Sequence, residues 1–460
     1  SRGTLHTLKP LQGANMDFLS AGIICIVLLL ALMALGLQIG LSFILSGLVV
    51  GSLLLSMDST LSLLGQAAYF SVASPTWTAI PLFILMGAFA SNGGLARRAY
   101  DGVHAMTRRI RGSLLIATCF SCGVFGAVSG SSIATTAIFG KMALPEMNLL
   151  GYDKALSVGA IASAGTFASM IPPSMMMIIY GLFTQQSIGK LFAAGIIPGV
   201  MTAVAYAVLI NIMVRRNPDL VPSEEDEAAL ADINTNAASH GGTAQIWPVG
   251  LIALVILGGL YSGLFTPTEA AAVGSIVTLA LSWYLKAFRT TAKISEAMRE
   301  AANITAMLFL INVGALFYSR ILAVTGLPTE LTMALQTFDV APIFILLAVM
   351  AIMFVLGMIM VPVGIYALTL PIVFPLLVKL GYDPIWFGVI ALKLTEIGAI
   401  TPPVGLNVFA IKGVIPKDMK VTTERIYQGC MPFLMCDVVI LAILVAFPAI
   451  TLFLPNLLMN

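Results

Sequence analysis

Two proline pairs, Pro172-Pro173 and Pro402-Pro403, lie in the middle of long apolar segments. Each pair removes two backbone N–H donors and frees carbonyl oxygens of the preceding helical turn. Within a bilayer an orphan backbone group costs several kcal/mol, so such carbonyls persist where they line a cavity or hold a cation. Oxygen ligands suit a hard cation such as sodium. The pairs therefore predict two broken helices that hold ions, and proline kinks that only shape packing are the alternative.

Ionisable residues inside apolar segments are a second sign of function, because each costs roughly 2.5–3.5 kcal/mol on insertion scales. Lys393 and Glu396 are three residues apart and could pair across one helical turn. Alternatively, Glu396 tunes an ion site beside the second proline pair. Arg320, near the end of its segment, could bind an acid group of a substrate bidentately. Extension of its guanidinium to the membrane interface is the other interpretation.

The remaining reactive residues predict no enzyme. His6, His104 and His240 lie in polar stretches, and the chain contains no Walker A loop, HExxH or GxSxG motif. Cys119 and Cys122 form a CxxC pair without a second pair or a nearby histidine, so we interpret them as small packing residues. An ATP-driven pump and an intramembrane hydrolase are excluded.

Composition places these residues in a membrane. Of 460 residues, 59% are hydrophobic and 10% are charged, whereas soluble domains carry about 25% charged residues. The net charge of +2 provides no basic field for nucleic acid. At roughly 20 residues per helical crossing, the chain has room for on the order of a dozen crossings. The uninterrupted apolar runs do not alternate as the strands of an outer-membrane barrel do. The sequence therefore predicts an all-α membrane protein that crosses the bilayer several times.

Apolar segments occur throughout the chain after residue 16. They are 18–36, 39–56, 76–91, 113–140, 153–184, 191–214, 246–264, 267–286, 301–322, 341–379, 384–411 and 426–456. Segment 113–140 is interrupted around Val128–Ser132, and segment 341–379 around Met360–Gly364, which predicts two helical hairpins. Residues 1–15 are polar and irregular, so we expect a linker remnant there. We expect the first apolar run to be a membrane span and not a cleaved signal peptide.

Loop charge predicts the orientation. If both hairpins re-enter the membrane, every basic cluster lies on the cytoplasmic side, as the positive-inside rule requires. These residues are Arg97, Arg98, Arg108, Arg109, Arg111, Arg215, Arg216, Lys286, Arg289, Lys293, Arg299, Lys412, Lys417, Lys420 and Arg425. The acidic stretch from Glu224 to Asp232 does not count against this topology, because acidic residues contribute little to the rule.

A repeat with a constant offset of half the chain length links the two halves. Leu150-Gly151-Tyr152-Asp153 recurs as Leu380-Gly381-Tyr382-Asp383, Pro145 recurs as Pro375, and the first proline pair recurs as the second. Five predicted crossings separate the two hairpins. Because this number is odd, the halves are expected to be inverted. Inverted repeats with broken helices are the architecture of secondary transporters, which bind substrate and ions near the midplane.

At these motifs the sequence resembles the large membrane subunit of tripartite ATP-independent periplasmic (TRAP) transporters, from about residue 16 to 456. The first half carries Gly126-Ala-Val-Ser-Gly-Ser-Ser132, Pro145-Glu146-Met147 with Gly151-Tyr152-Asp153, and Ile171-Pro-Pro-Ser174. The second half carries Thr266-Pro-Thr-Glu-Ala270, Gly381-Tyr-Asp383 and Ile400-Thr-Pro-Pro-Val-Gly-Leu-Asn407. Relatives often have an acidic residue in the second hairpin turn, where this chain has Val361-Pro362.

The resemblance implies an elevator-type importer in the bacterial inner membrane, driven by sodium (Na+). It implies an organic acid anion as cargo, a small membrane subunit and a soluble periplasmic substrate-binding protein. A symporter or exchanger of the same superfamily that needs no binding protein is the alternative. The expected segments are scaffold helices at 16–111, a first transport half at 112–190, scaffold helices with a cytoplasmic loop at 191–300, a second transport half at 301–425, and a terminal helix at 426–460.

Each hairpin is expected to share one sodium ion with the adjacent proline break. The first site is predicted at Ser129, Ser131, Ser132, Thr166, Ile171, Pro172 and Ser174, and the second at Gly357, Met358, Pro362, Thr395, Thr401 and Pro402. The substrate is expected at Ser131, Pro173, Arg320, Glu396, Pro403 and Asn407. The serines at the first turn could instead be small residues for close helix packing. Glu269 is expected to cap a scaffold helix after Thr266.

Overall fold

The computed structural model describes residues 18–107, 110–222, 242–288, 290–327, 329–330, 333 and 341–459. Those residues form helices and connecting turns, without a strand, which confirms the predicted all-α class. The expected linker remnant at 1–15, the acidic stretch from Glu224 to Asp232, and the basic residues Arg108, Arg109 and Arg289 lie outside the described residues.

The chain divides into two compact units. The first comprises the described residues up to Ser74 and those from Met307 to Ala341. Its described helices are α1 (Phe18–Ala34), α2 (Ile39–Leu54), α3 (Met57–Ala73) and the later part of α13 (Thr291–Val324). Small residues on α2 let α13 approach closely, since a Cβ at Gly47 would lie 2.7 Å from the Phe317 ring. Such contacts are typical of membrane helices, where small residues allow backbones to pack.

The second unit comprises Pro75–Ala306 and Pro342–Asn460, and it contains both predicted hairpins and both proline pairs. Its helices are α4 (Ala79–Asn92), α5 (Leu95–Thr107), α6 (Ser113–Ser129), α7 (Ser132–Leu149), α8 (Lys154–Ala168), α9 (Met175–Thr184), α10 (Ile188–Arg216), α11 (Trp247–Tyr261), α12 (Pro267–Tyr284), the early part of α13, α14 (Pro342–Gly357), α15 (Pro362–Lys379), α16 (Pro384–Gly398), α17 (Leu406–Lys412), α18 (Thr423–Ala446) and α19 (Pro448–Leu458).

Helix boundaries repeat at the offset seen in the sequence. Helices α7 (132–149) and α8 (154–168) recur half a chain length later as α15 (362–379) and α16 (384–398). Helices α6 and α7 form the first hairpin, and α14 and α15 form the second. Each hairpin is followed by a helix that stops at a proline pair and resumes as a short helix, α9 or α17. We call residues 169–174 the first break and residues 399–405 the second break.

The repeated Gly-Tyr-Asp motif ends one helix and begins the next. Gly151 and Gly381 adopt positive φ angles of 78° and 85°, a region that glycine enters without the penalty of a Cβ. Asp153 then accepts a 2.8 Å hydrogen bond from the Leu156 backbone N–H at the start of α8. In the second half Asp383 accepts one of 2.8 Å from the Ile385 N–H. The motif is therefore a stop-and-cap signal that sets the entry of each broken helix.

Glu269 caps α12, as predicted. The Thr266 hydroxyl oxygen accepts a bond from the Glu269 backbone N–H, and the Glu269 carboxylate accepts 2.8 Å bonds from the Thr266 N–H and hydroxyl. This is a reciprocal capping box.

Four helices within the described ranges are long and apolar enough to cross a membrane by length and composition, and a bent pair would raise the number to five. They are Ile188–Arg216, Thr291–Val324, Pro362–Lys379 and Thr423–Ala446. Several helices of the second unit are shorter, because the chain interrupts them at the hairpin turns and proline breaks.

Candidate functional site

The first hairpin turns at Ser129, Gly130 and Ser131. Gly130 ends α6 with a positive φ of 62°, and the Ser131 hydroxyl oxygen accepts a 3.3 Å bond from the Ala134 N–H at the start of α7. The hydroxyls of Ser129 and Thr135 are 2.9 Å apart. The turn thus collects buried hydroxyl oxygens in a small space between two helix ends.

The first break lies directly against this turn. A Cβ added at Gly130 would lie 3.2 Å from the Pro173 carbonyl oxygen and 3.1 Å from the Met175 nitrogen. Ser174 caps α9 by accepting a 3.4 Å bond from the Met177 N–H. The structure therefore places the first turn against the first break, which contains Ile171, Pro172 and Ser174 of the first predicted sodium site and Pro173 of the predicted substrate site.

The hydroxyls near the end of α8 bond to different partners. Thr166 donates to the Ser163 carbonyl at 2.6 Å, and Ser169 donates to a carboxylate across the unit. Their oxygens keep acceptor capacity, because a hydroxyl has two lone pairs. Pro172-Pro173 is a cis peptide, as is Pro402-Pro403. Both breaks thus have the same local backbone form.

The second hairpin turn meets the second break through backbone contacts. The Gly405 N–H donates a 3.2 Å hydrogen bond to the Met358 carbonyl. A Cβ at Gly357 would lie 3.3 Å from the Thr395 carbonyl oxygen, so glycine allows the turn to approach α16 closely. Thr401 donates to the Ile397 carbonyl at 2.7 Å, and Pro362 begins α15. Gly357, Met358 and Thr395 of the second predicted sodium site therefore lie where the second turn meets α16 and the second break.

Glu396 lies between the two halves. Its carboxyl is 1% exposed, and Oε1 accepts a 2.7 Å hydrogen bond from the Ser169 hydroxyl of the first break. Ser132, at the start of α7, also faces this carboxyl. A side chain of the second broken helix thus connects to the first break and the first hairpin.

Lys393 does not pair with Glu396. Its ammonium is 2.6 Å from Asp437 Oδ1 on α18 and donates a 3.3 Å bond to the Thr202 hydroxyl on α10. The Tyr206 hydroxyl donates to Asp437 Oδ2 at 2.8 Å. This arrangement replaces the Lys393–Glu396 pairing considered from the sequence, because α10 and α18 together satisfy the buried charges with hydrogen bonds.

Other predicted substrate residues take different places. Asn407 is fully buried and donates from Nδ2 to the Ala162 carbonyl at 3.3 Å, which connects α17 to α8. The Pro403 carbonyl accepts a 3.1 Å bond from the Tyr427 hydroxyl. Arg320 belongs to the first unit, where its guanidinium carbon lies 5.8 Å from the centroid of the Phe70 ring. Such a distance is typical of a cation–π contact.

Sequence reasoning missed Asp437 and Tyr206. Asp437 is a single acid within the apolar run 426–456, and an ionisable residue in such a run is a functional candidate by default. That signal was present in the sequence. Nothing in the sequence identified Tyr206 as its partner, because apolar helices contain many tyrosines that only pack.

The space between the first turn, the first break and α4 is closed to a water-sized molecule, and it is lined by Phe83 and Met86 of α4, Ser129, Gly130, Pro173 and Met175. A larger cavity of about 470 Å³ lies elsewhere, at the starts of α8 and α18. Asp153, Lys154 and Arg425 line that cavity. None of the residues that line this cavity belongs to the first turn or the first break, so it is distinct from both.

Comparison with known proteins matches this architecture to a family of carriers. Residues 26–450 match the family described as "Tripartite ATP-independent periplasmic transporter, DctM component". The C4-dicarboxylate TRAP transporter large permease protein DctM of Pseudomonas aeruginosa is 35% identical over 83% of this chain and 86% of its own length. The isethionate TRAP transporter permease protein DctMQ of Oleidesulfovibrio alaskensis is 30% identical over 84% of this chain and 59% of its own length. The Alcanivorax borkumensis YdaH transporter shares the fold, with a TM-score of 0.56 at 13% identity over 85% of this chain and 89% of its own.

Proposed function

This chain belongs to the DctM component family of TRAP transporters, and we propose that it imports a small organic acid anion together with sodium. It is a large transporter subunit and not an enzyme. The observation that carries the proposal is the pairing of each hairpin turn with one proline break, which assembles two sets of hydroxyl and carbonyl oxygens. Oxygen atoms are the ligands that hard cations take.

Sodium binding would couple to the anion through ordering of the hairpin turns. A turn that sodium has already ordered reduces the entropy that the anion must remove on binding, which gives positive cooperativity. Amide groups at the start of α7 and α15 favour an anion there.

We further propose that the two hairpins and two broken helices move together as an elevator and so give alternating access. These elements would form an inverted repeat in which both hairpins re-enter the membrane. The recurrence of helix boundaries at half the chain length supports the repeat. The positive-inside distribution of basic residues supports the inversion.

The partners are a small membrane subunit and a periplasmic binding protein, in the bacterial inner membrane. One relative is named as a DctMQ permease and is longer than the match, which agrees with a second membrane component. The names of the two relatives above give a C4-dicarboxylate and isethionate as cargo, and both compounds are organic acid anions.

Substitution of Ser131 by alanine tests the first ion site. We expect sodium-stimulated uptake in proteoliposomes to fall roughly 10–100-fold, the scale for disturbing the shell around a bound metal. The assay supplies both partner proteins and radiolabelled succinate or isethionate. Because Ser131 is also a helix cap, the control is Ser187→Ala, which removes the serine cap of α10. Equal uptake by the two variants would contradict the assignment.

Substitution of Pro402 by alanine tests the second site in the same assay. Restoring an N–H and the freedom of φ should let α16 continue through the break and withdraw its carbonyls from the second hairpin turn. We expect loss of uptake with unchanged assembly. Wild-type uptake that ignores the sodium gradient would overturn sodium coupling, and uptake without the binding protein would favour a self-sufficient symporter or exchanger.

A further inference from the structure

The buried charges of the second unit do not balance. Among the described residues, Lys393, Glu396 and Asp437 are the only Asp, Glu, Lys or Arg side chains that are buried. One ammonium therefore faces two carboxylates. Isolated buried charges are strongly unfavourable, so a buried carboxyl group is neutralised either by a proton or by a cation.

Asp437 already holds the ammonium. The Lys393 Nζ lies 2.6 Å from Asp437 Oδ1, and the Tyr206 hydroxyl donates to Oδ2 at 2.8 Å. Both side chains are at most 1% exposed, and both Asp437 oxygens have partners. Lys393 is thus committed to α10 and α18, and Glu396 is left without a bonded cation.

The second oxygen of Glu396 is unpartnered. Oε1 accepts from Ser169, but Oε2 is buried and forms no hydrogen bond within the described structure. Ser132 faces the same carboxyl from α7. Tyr366 of α15 interacts electrostatically with Glu396, and its hydroxyl is buried. One carboxyl group and two hydroxyl groups from three separate segments therefore meet, and Tyr366 of a fourth segment lies near them.

The position of this cluster is central. Helices α8 and α16 have equivalent bounds under the repeat, and Glu396 occupies in α16 the place that Thr166 occupies in α8. The cluster draws on both hairpins and on the first break. The two sodium sites proposed above each pair one turn with one break, and the cluster shares only Ser132 with the first of them.

We propose that the Glu396 carboxylate, with the hydroxyls of Ser132, Ser169 and Tyr366, binds an additional sodium ion between the two halves of the transport unit. The ion would neutralise the Glu396 carboxylate, whereas Lys393 neutralises Asp437. Its ligands are hard oxygen atoms, as sodium requires. This inference rests on the proposed sodium-coupled function and raises the expected sodium number from two to three per chain.

Equilibrium binding of radioactive sodium to the purified full-length chain, in a choline background, tests the proposal without knowledge of the cargo. We expect wild-type protein to saturate at three ions per chain and the Glu396→Gln variant at two, a loss of one third of the signal. A wild-type value of two would overturn the additional site and leave the proposed function intact. No sodium binding at all would instead overturn the proposed function.

Two variants separate loss of the site from loss of the fold. Glu269→Gln makes the same chemical change at an exposed cap where glutamine also serves, so it should keep three ions. Ser169→Ala retains the carboxylate and should weaken binding of one ion roughly tenfold, equivalent to 1.4 kcal/mol. If Glu396→Gln keeps three ions, the carboxylate is not a ligand and the proposal fails.

Discussion

Replacing Lys393 by methionine should destabilise the protein by about 3–5 kcal/mol, the usual cost of removing one partner from a buried ion pair. The Asp437 carboxylate, 0% exposed, would keep only its bond from Tyr206. Chemical or thermal unfolding in detergent, followed by intrinsic fluorescence, measures the change.

The double variant Lys393→Met with Asp437→Asn should recover most of this loss. Asparagine carries no charge and still offers an acceptor to the Tyr206 hydroxyl, so neither an unpaired charge nor an orphan hydroxyl remains. Lys379→Met, at the exposed end of α15, serves as the matched control and should change stability little. Equal destabilisation of the single and double variants would show that charge pairing is not what Lys393 contributes.

Alanine at Gly159 or Gly429 should also be strongly harmful. A Cβ at Gly159 would lie 2.1 Å from the Gly429 backbone carbon, and a Cβ at Gly429 would lie 1.9 Å from the Ala155 carbonyl oxygen. Backbone atoms cannot rotate away as the end of a side chain can, so α8 and α18 must separate. Overpacking typically costs about 1–3 kcal/mol and occasionally more, and here it moves the helix that leads into the first break.

The sign of this effect distinguishes packing from helix propensity. Alanine normally favours a helix over glycine by roughly 0.5–1 kcal/mol. Gly250 on α11 has open space around it, so Gly250→Ala should be neutral or slightly stabilising. Melting temperatures and succinate uptake of the three variants provide the comparison. Stabilisation by all three would rule out the close contact between α8 and α18.

Local features of the site could be predicted from the sequence because their causes are local. Proline lacks an N–H wherever it occurs, so the breaks at Pro172 and Pro402 follow from residue type. Gly130 between two serines marks the first hairpin turn, since glycine accepts a positive φ and serine caps a helix. The second turn was predicted around Met360–Gly364, and α14 ends slightly earlier, at Gly357.

Long-range partnerships could not be predicted in this way. Lys393 has Glu396 one turn away on its own helix, and that spacing favoured a local pair. The structure instead places Asp437, 44 residues later, at 2.6 Å from the ammonium.

The sequence by itself determined that this chain is a helical membrane protein with two hairpins and two broken helices. Composition is a property of the sequence, and proline breaks and helix caps depend on residues that are adjacent in it. These features can therefore be predicted without knowing which helices pack together. The tertiary structure alone decided that Lys393 neutralises Asp437 and that Glu396 meets Ser169 of the other half. Desolvation makes an unpaired buried charge unfavourable wherever it lies in the unit. Which partner lies within reach of that charge depends on how the helices pack, and packing brings together residues that are far apart in the sequence.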